Sequence, residues 1–369
     1  MRGAPDADDA SLMALALRLA RRGLGRVAPN PAVGCLIVRH GRVVGRGWTQ
    51  PGGRPHAEAE ALTQAGEAAR GATVYVTLEP CAHHGQTPPC AEALIAAGVA
   101  RVVVACEDPD PRTAGKGLAQ LRAAGIETVC GVATEAARAL NAGFFLRQTA
   151  QRPMVALKLA TSLDGRIASR TGHSRWITGA AARRHGHMLR ATHDAILIGA
   201  GTLAADNPAL TCRLPGLEDR SPIRIVLGGA PQALASSKLA QQTDIAPVWH
   251  AVAGAGDGAP ADRGGMRRFH IAGDDDAARI HDLLRQLAMA GVTRLLVEGG
   301  ASTAAGFLCA DAVDRLYLYR AGTVIGGDGL ASIGSLGVRD VARDTPKFRL
   351  LDTQPLGGDV LDVYERAEQ

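Results

Sequence analysis

At 369 residues the chain is roughly twice the ~100–200 residues of one ordinary domain, so two compact units with separate cores are expected. A composition of 46% hydrophobic and 21% charged residues, with no apolar run near the ~18 residues of a membrane span, speaks for a soluble globular protein and against a membrane role. The net charge of +5 is spread without a basic tract and aromatics make up only 3%, which disfavours a nucleic-acid partner and suits a small anionic substrate.

In chain order, Ser11–Gly23 reads as an amphipathic first helix. Arg18 interrupts its apolar run and Asp6, Asp8 and Asp9 precede it, which argues against a targeting peptide. From Ala32 to about Gly131, short apolar runs alternate with helical patterns: VGCLIV, RVVGRGW, a helix from His56, TVYVTLE, a helix from Cys90, RVVVACE, a helix near LAQLRAAG, then IETVC. This alternation predicts a three-layer α/β domain. Arg39-His40-Gly41 is a short turn, so the first two strands are expected as an antiparallel hairpin within a mixed sheet.

One helix is expected over Thr134–Leu146, and Gln151-Arg152-Pro153 then breaks the pattern, dividing the chain into domains 1–150 and 151–369. After the strand MVALKLA the second half repeats the α/β alternation, with strands near DAILIGAG, PIRIVLG and TRLLVEGG and helices near 180–191 and 276–290. Ala251–Gly265, small and rich in Gly and Pro, reads as an exposed loop between strands. The seven cysteines, at 35, 81, 90, 106, 130, 212 and 309, are odd in number and scattered, so no disulfide framework is expected and a reducing cytoplasm is.

Pro55-His56-Ala57-Glu58, then Glu79-Pro80-Cys81 and Pro89-Cys90, supply one imidazole and two thiols. Three such ligands leave the fourth tetrahedral position of a catalytic zinc for water. A structural zinc, with His83 or His84 as fourth ligand, is the alternative. Residues two apart lie about 200° around a helix, so His56 and Glu58 share a site only at a helix end. Pro55 and Pro89 are expected to set those ends, since proline favours the first helical position. Glu58, a carboxylate outside the ligand set, fits proton transfer from water to a leaving amine, which makes this a zinc-dependent deaminase. The plain alternative is an ordinary helix-start glutamate.

Zinc deaminases carry H-x-E followed by P-C-x-x-C, but here the cysteines are nine positions apart in PCAHHGQTPPC. That segment, with Pro29-Asn30-Pro31-Ala32-Val33-Gly34 upstream, resembles the deaminase half of the bifunctional riboflavin-biosynthesis deaminase/reductases. Lys158-Leu-Ala-Thr161-Ser-Leu-Asp164-Gly165, Ser174-Arg-Trp176-Ile-Thr178, Gly201-Thr202-Leu-Ala-Ala-Asp206-Asn-Pro208, Leu210-Thr-Cys-Arg213 and Val297-Glu298-Gly-Gly300 follow in the order of the reductase half.

The resemblance implies a cytidine-deaminase-like α/β/α first domain and a dihydrofolate-reductase-like α/β second domain that uses NADPH. It implies substrate contacts at Asn30, His83 and His84, and in the second domain at Lys158, Ser174, Arg190, Leu210, Arg213 and Glu298. Arg190 and Arg213 suit phosphate because guanidinium binds it bidentately. Cofactor contacts are implied at Ala160, Thr161, Trp176, Thr202, Asp206, Gly229, Gly300, Ala301, Ser302, Thr303, Ala304, Ala305 and Gly306. Gly229 stands where some relatives carry Ser, and Gln86 where many carry a basic residue; Arg54 is a candidate to compensate for the latter.

Taken singly, these residues have structural readings too. Asn30 is a turn residue, His83 and His84 suit a solvated loop, Trp176 suits a core, and Gly299-Gly300 suits tight βα packing as well as phosphate. The implied reaction is deamination of a 2,5-diamino-6-ribosylamino-pyrimidinone phosphate, then reduction of its ribosyl group to ribityl. A nucleoside or tRNA deaminase with an unrelated appendage, and a scaffold with a structural zinc, are the rivals. A homo-oligomer acting on a small phosphorylated pyrimidine, with neither nucleic acid nor membrane as partner, is expected.

Overall fold

The structure, a computed structural model, describes residues 6, 8–85, 88–254, 262–263 and 266–367. Gln86 lies outside the described residues. The chain divides into two compact units, Met1–Ala150 and Gln151–Gln369.

Among the described residues, unit 1 contains α1 (Asp9–Ala20), β1 (Gly34–Arg39), β2 (Arg42–Trp48), α2 (Ala57–Ala65), β3 (Thr73–Val76), α3 (Cys90–Ala96), β4 (Arg101–Val104), α4 (Lys116–Ala123), β5 (Glu127–Cys130), α5 (Thr134–Leu140) and α6 (Ala142–Ala150). The strands form one sheet in the order β2-β1-β3-β4-β5. β1 runs antiparallel to β2 and β3, whereas β3, β4 and β5 are parallel, so the sheet is mixed. The β1–β2 turn works because His40 and Gly41 both take positive φ, 50° and 71°.

Glycines set how closely the helices approach this sheet. A Cβ at Gly34 would lie 2.0 Å from the Ala16 carbonyl oxygen of α1. On the neighbouring strand, a Cβ at Gly45 or Gly47 would lie 2.2 Å from the carbonyl oxygen of Ala61 or Ala57 in α2. Gly47 pairs with Cys35, and consecutive strand residues face opposite ways, so α1 and α2 cover opposite faces. The result is three layers, with the apolar faces of β1, β3 and β4 in the middle.

The expected single helix over Thr134–Leu146 is two helices, α5 and α6, broken at Asn141. Its buried amide accepts from Ala32 N–H over 2.9 Å and donates to Ala32 C=O over 3.0 Å. Pairing both groups of a backbone peptide compensates for the interrupted helix.

Unit 2 contains β6 (Met154–Thr161), β7 (Arg166–Ala168), α7 (Ala180–Ala191), β8 (Ala195–Gly199), α8 (Ala200–Asp206), β9 (Ile223–Leu227), α9 (Pro231–Ala235), β10 (Val248–Ala253), β11 (Asp262–Arg263), β12 (Met266–Ile271), α10 (Asp276–Met289), β13 (Arg294–Val297), α11 (Ala301–Cys309), β14 (Arg315–Ala321), β15 (Leu330–Ala331), β16 (Phe348–Leu356) and β17 (Asp359–Arg366). The main sheet has the order β11-β12-β10-β9-β8-β13-β6-β14-β17-β16, and β7 pairs with β15. The run from β12 to β14 is parallel.

The central strands are continuous apolar segments, as parallel strands covered on both faces must be. Leu295, Leu296 and Val297 of β13 are fully buried, each contributing about 1.5–3 kcal/mol. The chain moves outward from β6 through β8, β9 and β10, then returns to insert β13 between β8 and β6. Such a reversal opens a crevice at the carboxyl ends of β6, β8 and β13.

The loop expected over Ala251–Gly265 is shorter, because β10 runs to Ala253 and Asp262–Arg263 pair as β11. Residues 255–261 and 264–265 lie outside the described residues. No helix among the described residues is long and apolar enough to cross a membrane.

Candidate active sites

In unit 1, His56 is the N-cap of α2 with extended backbone (φ −70°, ψ 159°), and Glu58 lies in the first turn. Cys90 opens α3, and Cys81 comes from the turn after β3. Both prolines stand further out than expected: Pro55 precedes the α2 cap, two positions before the first helical residue, and Pro89 is itself the α3 cap, one position before it. The helix ends fall where the site needs them, fixed by the chain's extended entry.

His56 Nδ1 is 3.4 Å from Cys90 Sγ and 3.7 Å from Cys81 Sγ, and the three donor atoms lie within 4.8 Å of one another. Tetrahedral zinc with bonds of about 2.0–2.1 Å to N and about 2.3 Å to S places an N and an S ligand about 3.6 Å apart. The donor set therefore fits zinc in both chemistry and span. Cys90 N–H also donates to Cys81 Sγ over 3.3 Å. The hydrogen bond with the Cys90 thiol is the foremost cause holding the Cys81 thiol down to about 4, with His56 acting the same way, while Cys81 pushes Cys90 up.

Glu58 is only 4% exposed, and burial foremost pushes its carboxyl up to about 7, against the opposing charge of His56. Beneath it Cys35 is fully buried; burial, then the Glu58 charge, pushes that thiol up, leaving an inert floor.

The other sequence-predicted residues of unit 1 lie in loops. Asn30 Nδ2 donates to Gly53 C=O over 2.9 Å, and His83 Nδ1 is 3.3 Å from Thr113 Oγ1. His84 is exposed, its Nε2 3.5 Å from Glu92 Oε2. The Arg54 guanidinium reaches the loop between the cysteines, since a Cβ at Gly85 would lie 3.2 Å from its Nη2.

Sequence reasoning missed Glu79. Buried, it accepts backbone N–H from Asp108 (3.3 Å), Gly115 (2.9 Å) and Leu118 (3.1 Å), tying that loop and α4 to the strand end that leads to Cys81. The loop so held carries Thr113 and the buried Asp108, whose carboxyl burial pushes up to about 7. The only signal in the sequence is a glutamate before Pro-Cys, which looks like any strand-end residue.

In unit 2, Glu298 follows β13 into the crevice. Arg190 of α7 donates to it bidentately, Nε to Oε1 and Nη2 to Oε2, each over 3.0 Å. Lys158 Nζ of β6 lies 3.7 Å from Oε2 and 5.7 Å from the Tyr319 ring centroid. Burial pushes the Glu298 carboxyl up, but the Arg190 and then the Lys158 charge outweigh it and hold the group at about 2.

Gly299 and Gly300 join Glu298 to α11. A Cβ at Gly299 would meet Thr303 Cβ at 2.5 Å, and Gly300 N–H donates to Thr202 Oγ1 over 3.1 Å. Gly300 is the α11 cap and no side chain caps the helix, so its N-terminal N–H groups suit the phosphates of a dinucleotide. Ala301, Ser302 and Thr303 belong to that first turn. Ala304 and Ala305 pack in the core, and a Cβ at Gly306 would meet Ile280 of α10, so these three stand behind the helix end.

Gly229 has φ 83°, and a Cβ there would lie 2.7 Å from Ala200 Cβ, so this backbone demands the glycine. Ala160 and the buried Thr161 end β6, and Asp206 ends α8 on the surface. Trp176 is 71% exposed, which removes the core reading; the Arg183 Cζ lies 4.6 Å from its ring centroid. The half-buried Ser174 accepts Ile177 N–H in the same turn.

Leu210 takes φ 56°, buried, and Thr211 C=O accepts from Arg190 Nη1 over 3.1 Å. Arg213 is exposed, its Nη2 3.4 Å from His187 Nε2. Direct contacts thus link Lys158 and Arg190 to Glu298, and, two residues along the chain, Gly300 to Thr202. His187 and Tyr319 join them without having been singled out from the sequence.

Two family models match the chain. Residues 6–106 match the cytidine and deoxycytidylate deaminase zinc-binding region, and residues 153–361 match the RibD C-terminal domain. The riboflavin biosynthesis protein RibD of Aquifex aeolicus is 40% identical over 97% of this chain and 98% of its own length. That of Escherichia coli is 41% identical over 95% and 98%. Among solved structures, Acinetobacter baumannii RibD superposes with a TM-score of 0.87 at 36% identity, covering 98% of this chain and 99% of that one. The diaminohydroxyphosphoribosylaminopyrimidine deaminase/5-amino-6-(5-phosphoribosylamino)uracil reductase of Thermotoga maritima gives 0.85 at 35% identity, covering 97% and 99%.

Proposed function

The chain belongs to the RibD family of riboflavin biosynthesis proteins, and from that premise we propose that it catalyses two successive steps. Unit 1 deaminates 2,5-diamino-6-ribosylamino-4(3H)-pyrimidinone 5′-phosphate, and unit 2 reduces the ribosyl group of the product to ribityl with NADPH. The observation that carries the reading is the juxtaposition of His56, Cys81 and Cys90 with a buried Glu58 in a zinc-binding deaminase region.

His56, Cys81 and Cys90 would hold zinc, which when bound supplies the Lewis acidity that makes water nucleophilic near neutral pH. Glu58 takes the proton of that water and delivers it to the departing ammonia. Asn30 and His83 contact the pyrimidine or its ribose phosphate, and Arg54, beside Gly85, offers positive charge to the loop between the cysteines.

In unit 2 the α11 N-terminus, Thr202, Asp206, Gly229, Thr161 and Trp176 would hold NADPH, which when bound would supply hydride for the anomeric carbon. Lys158 and Glu298 orient the sugar, Leu210 and Ser174 line it, and Arg213 takes the phosphate. Arg190, whose fork is engaged by Glu298, keeps that carboxylate ionised and in place.

We further propose a cytoplasmic homo-oligomer. The seven free cysteines support the compartment, and the exposed Leu350 and Leu351 on the edge strand β16 support self-association. A monomer by light scattering would remove the second point.

Mass spectrometry of the products formed with zinc and NADPH tests both steps: exchange of an amino group for oxygen, then gain of two hydrogens. Glu58→Gln should retain zinc and lose deamination by about 10²–10⁴-fold. Unchanged turnover would dismiss Glu58 as the proton carrier, and activity confined to tRNA or free nucleosides would dismiss the substrate.

A further inference from the structure

Two side chains of α7 converge on one backbone oxygen. His187 Nδ1 lies 3.1 Å from the Thr211 carbonyl oxygen, and Arg190 Nη1 donates to that oxygen over the same distance. A carbonyl only accepts, so Nδ1 carries the His187 proton and the neutral ring keeps a lone pair on Nε2. Arg213 Nη2, 3.4 Å from that Nε2, is then the donor. The loop is pinned on its other side as well, since Cys212 N–H donates to Ser221 Oγ over 3.1 Å. Burial foremost, then the charges of Arg190 and Arg213, lowers the His187 pKa against the weaker pulls of the Thr211 hydrogen bond and of Glu298, which keeps the ring neutral near pH 7.

We infer that His187 is a positioning residue for the reductase half: its Nδ1–H tautomer fixes the 211–213 loop and its Nε2 aims the Arg213 guanidinium, setting the affinity for a phosphorylated substrate. The inference rests on the phosphate role of Arg213 proposed above. A histidine that merely stabilised α7 would affect the enzyme whether or not Arg213 were present.

The test is a double-mutant cycle in the full chain, with reductase kinetics on the phosphorylated aminouracil at saturating NADPH. His187→Ala should raise KM about two- to tenfold, the worth of one hydrogen bond, with kcat held. Added to Arg213→Ala, it should change KM by less than about twofold, because the residue it acts through is gone. His187→Gln should restore KM, since an amide can both donate to Thr211 and accept from Arg213.

If Arg213→Ala leaves KM unmoved, the phosphate reading fails and takes the inference with it. If Arg213→Ala raises KM but His187→Ala multiplies it equally in both backgrounds, the inference alone fails. Nitrogen-15 spectra of histidine-labelled protein add a readout independent of turnover and of how the alanine variant folds: a proton on Nε2 overturns the assignment.

Discussion

Glu298 is a carboxylate that Arg190 and Lys158 keep ionised inside the protein. Because its folded pKa, about 2, lies below the ordinary 4.5, it stabilises the fold above 4.5, and that contribution fades as pH falls towards 2. The melting temperature of the wild type should therefore exceed that of Glu298→Gln at neutral pH, with the gap narrowing across that acid window. A gap that stays constant would show that the charge is not what Glu298 contributes. At this scale the sequence identifies reactive side chains but not their partners. Arg190, expected at phosphate, is engaged by Glu298. His187 escaped notice because its principal partner is the Thr211 carbonyl, and a backbone oxygen has no signature in the sequence. Trp176, read as possible core, is a surface residue because burial depends on what the fold brings over it.

Elements were legible where one apolar period dominated. The runs around β1, β4, β8 and β13 could be read directly, whereas TVYVTLE contains only the four strand residues Thr73–Val76 before the chain turns toward Cys81. The split between α5 and α6 was hidden because Asn141 owes its place to Ala32, a partner 109 positions away. Glu79 makes the same kind of distant connection, three N–H groups from one loop and helix meeting one carboxylate. Glu79→Gln removes an acceptor oxygen and should cost about 1–3 kcal/mol. The amides of Asp108, Gly115 and Leu118 should exchange faster with solvent, and the deaminase KM should rise several-fold with zinc content unchanged. Unaltered exchange at those amides would show that the loop holds itself.

Across the whole molecule, alternation of strand and helix patterns was enough for the α/β class. The insertion of β13 between β8 and β6 was not readable, since strand order depends on contacts between segments far apart in sequence. Each unit has its own apolar cluster, one around Val74, Val103 and Leu94, the other around Val155, Leu197 and Leu295. Chelation should therefore stop deamination and lower the melting temperature of unit 1, because metal binding contributes to folding. Reduction of the deaminated intermediate by NADPH should continue; its parallel loss would show that the two activities are not separable. The bare strand positions Gly45 and Gly47 matter here in another way. With carbonyls of Ala61 and Ala57 seated where side chains would otherwise stand, α2 is keyed to the sheet like a tenon in its mortise. Adding one methyl group would lift that helix, and with it His56 and Glu58, so the alignment of the reacting groups depends on two residues that touch neither metal nor substrate.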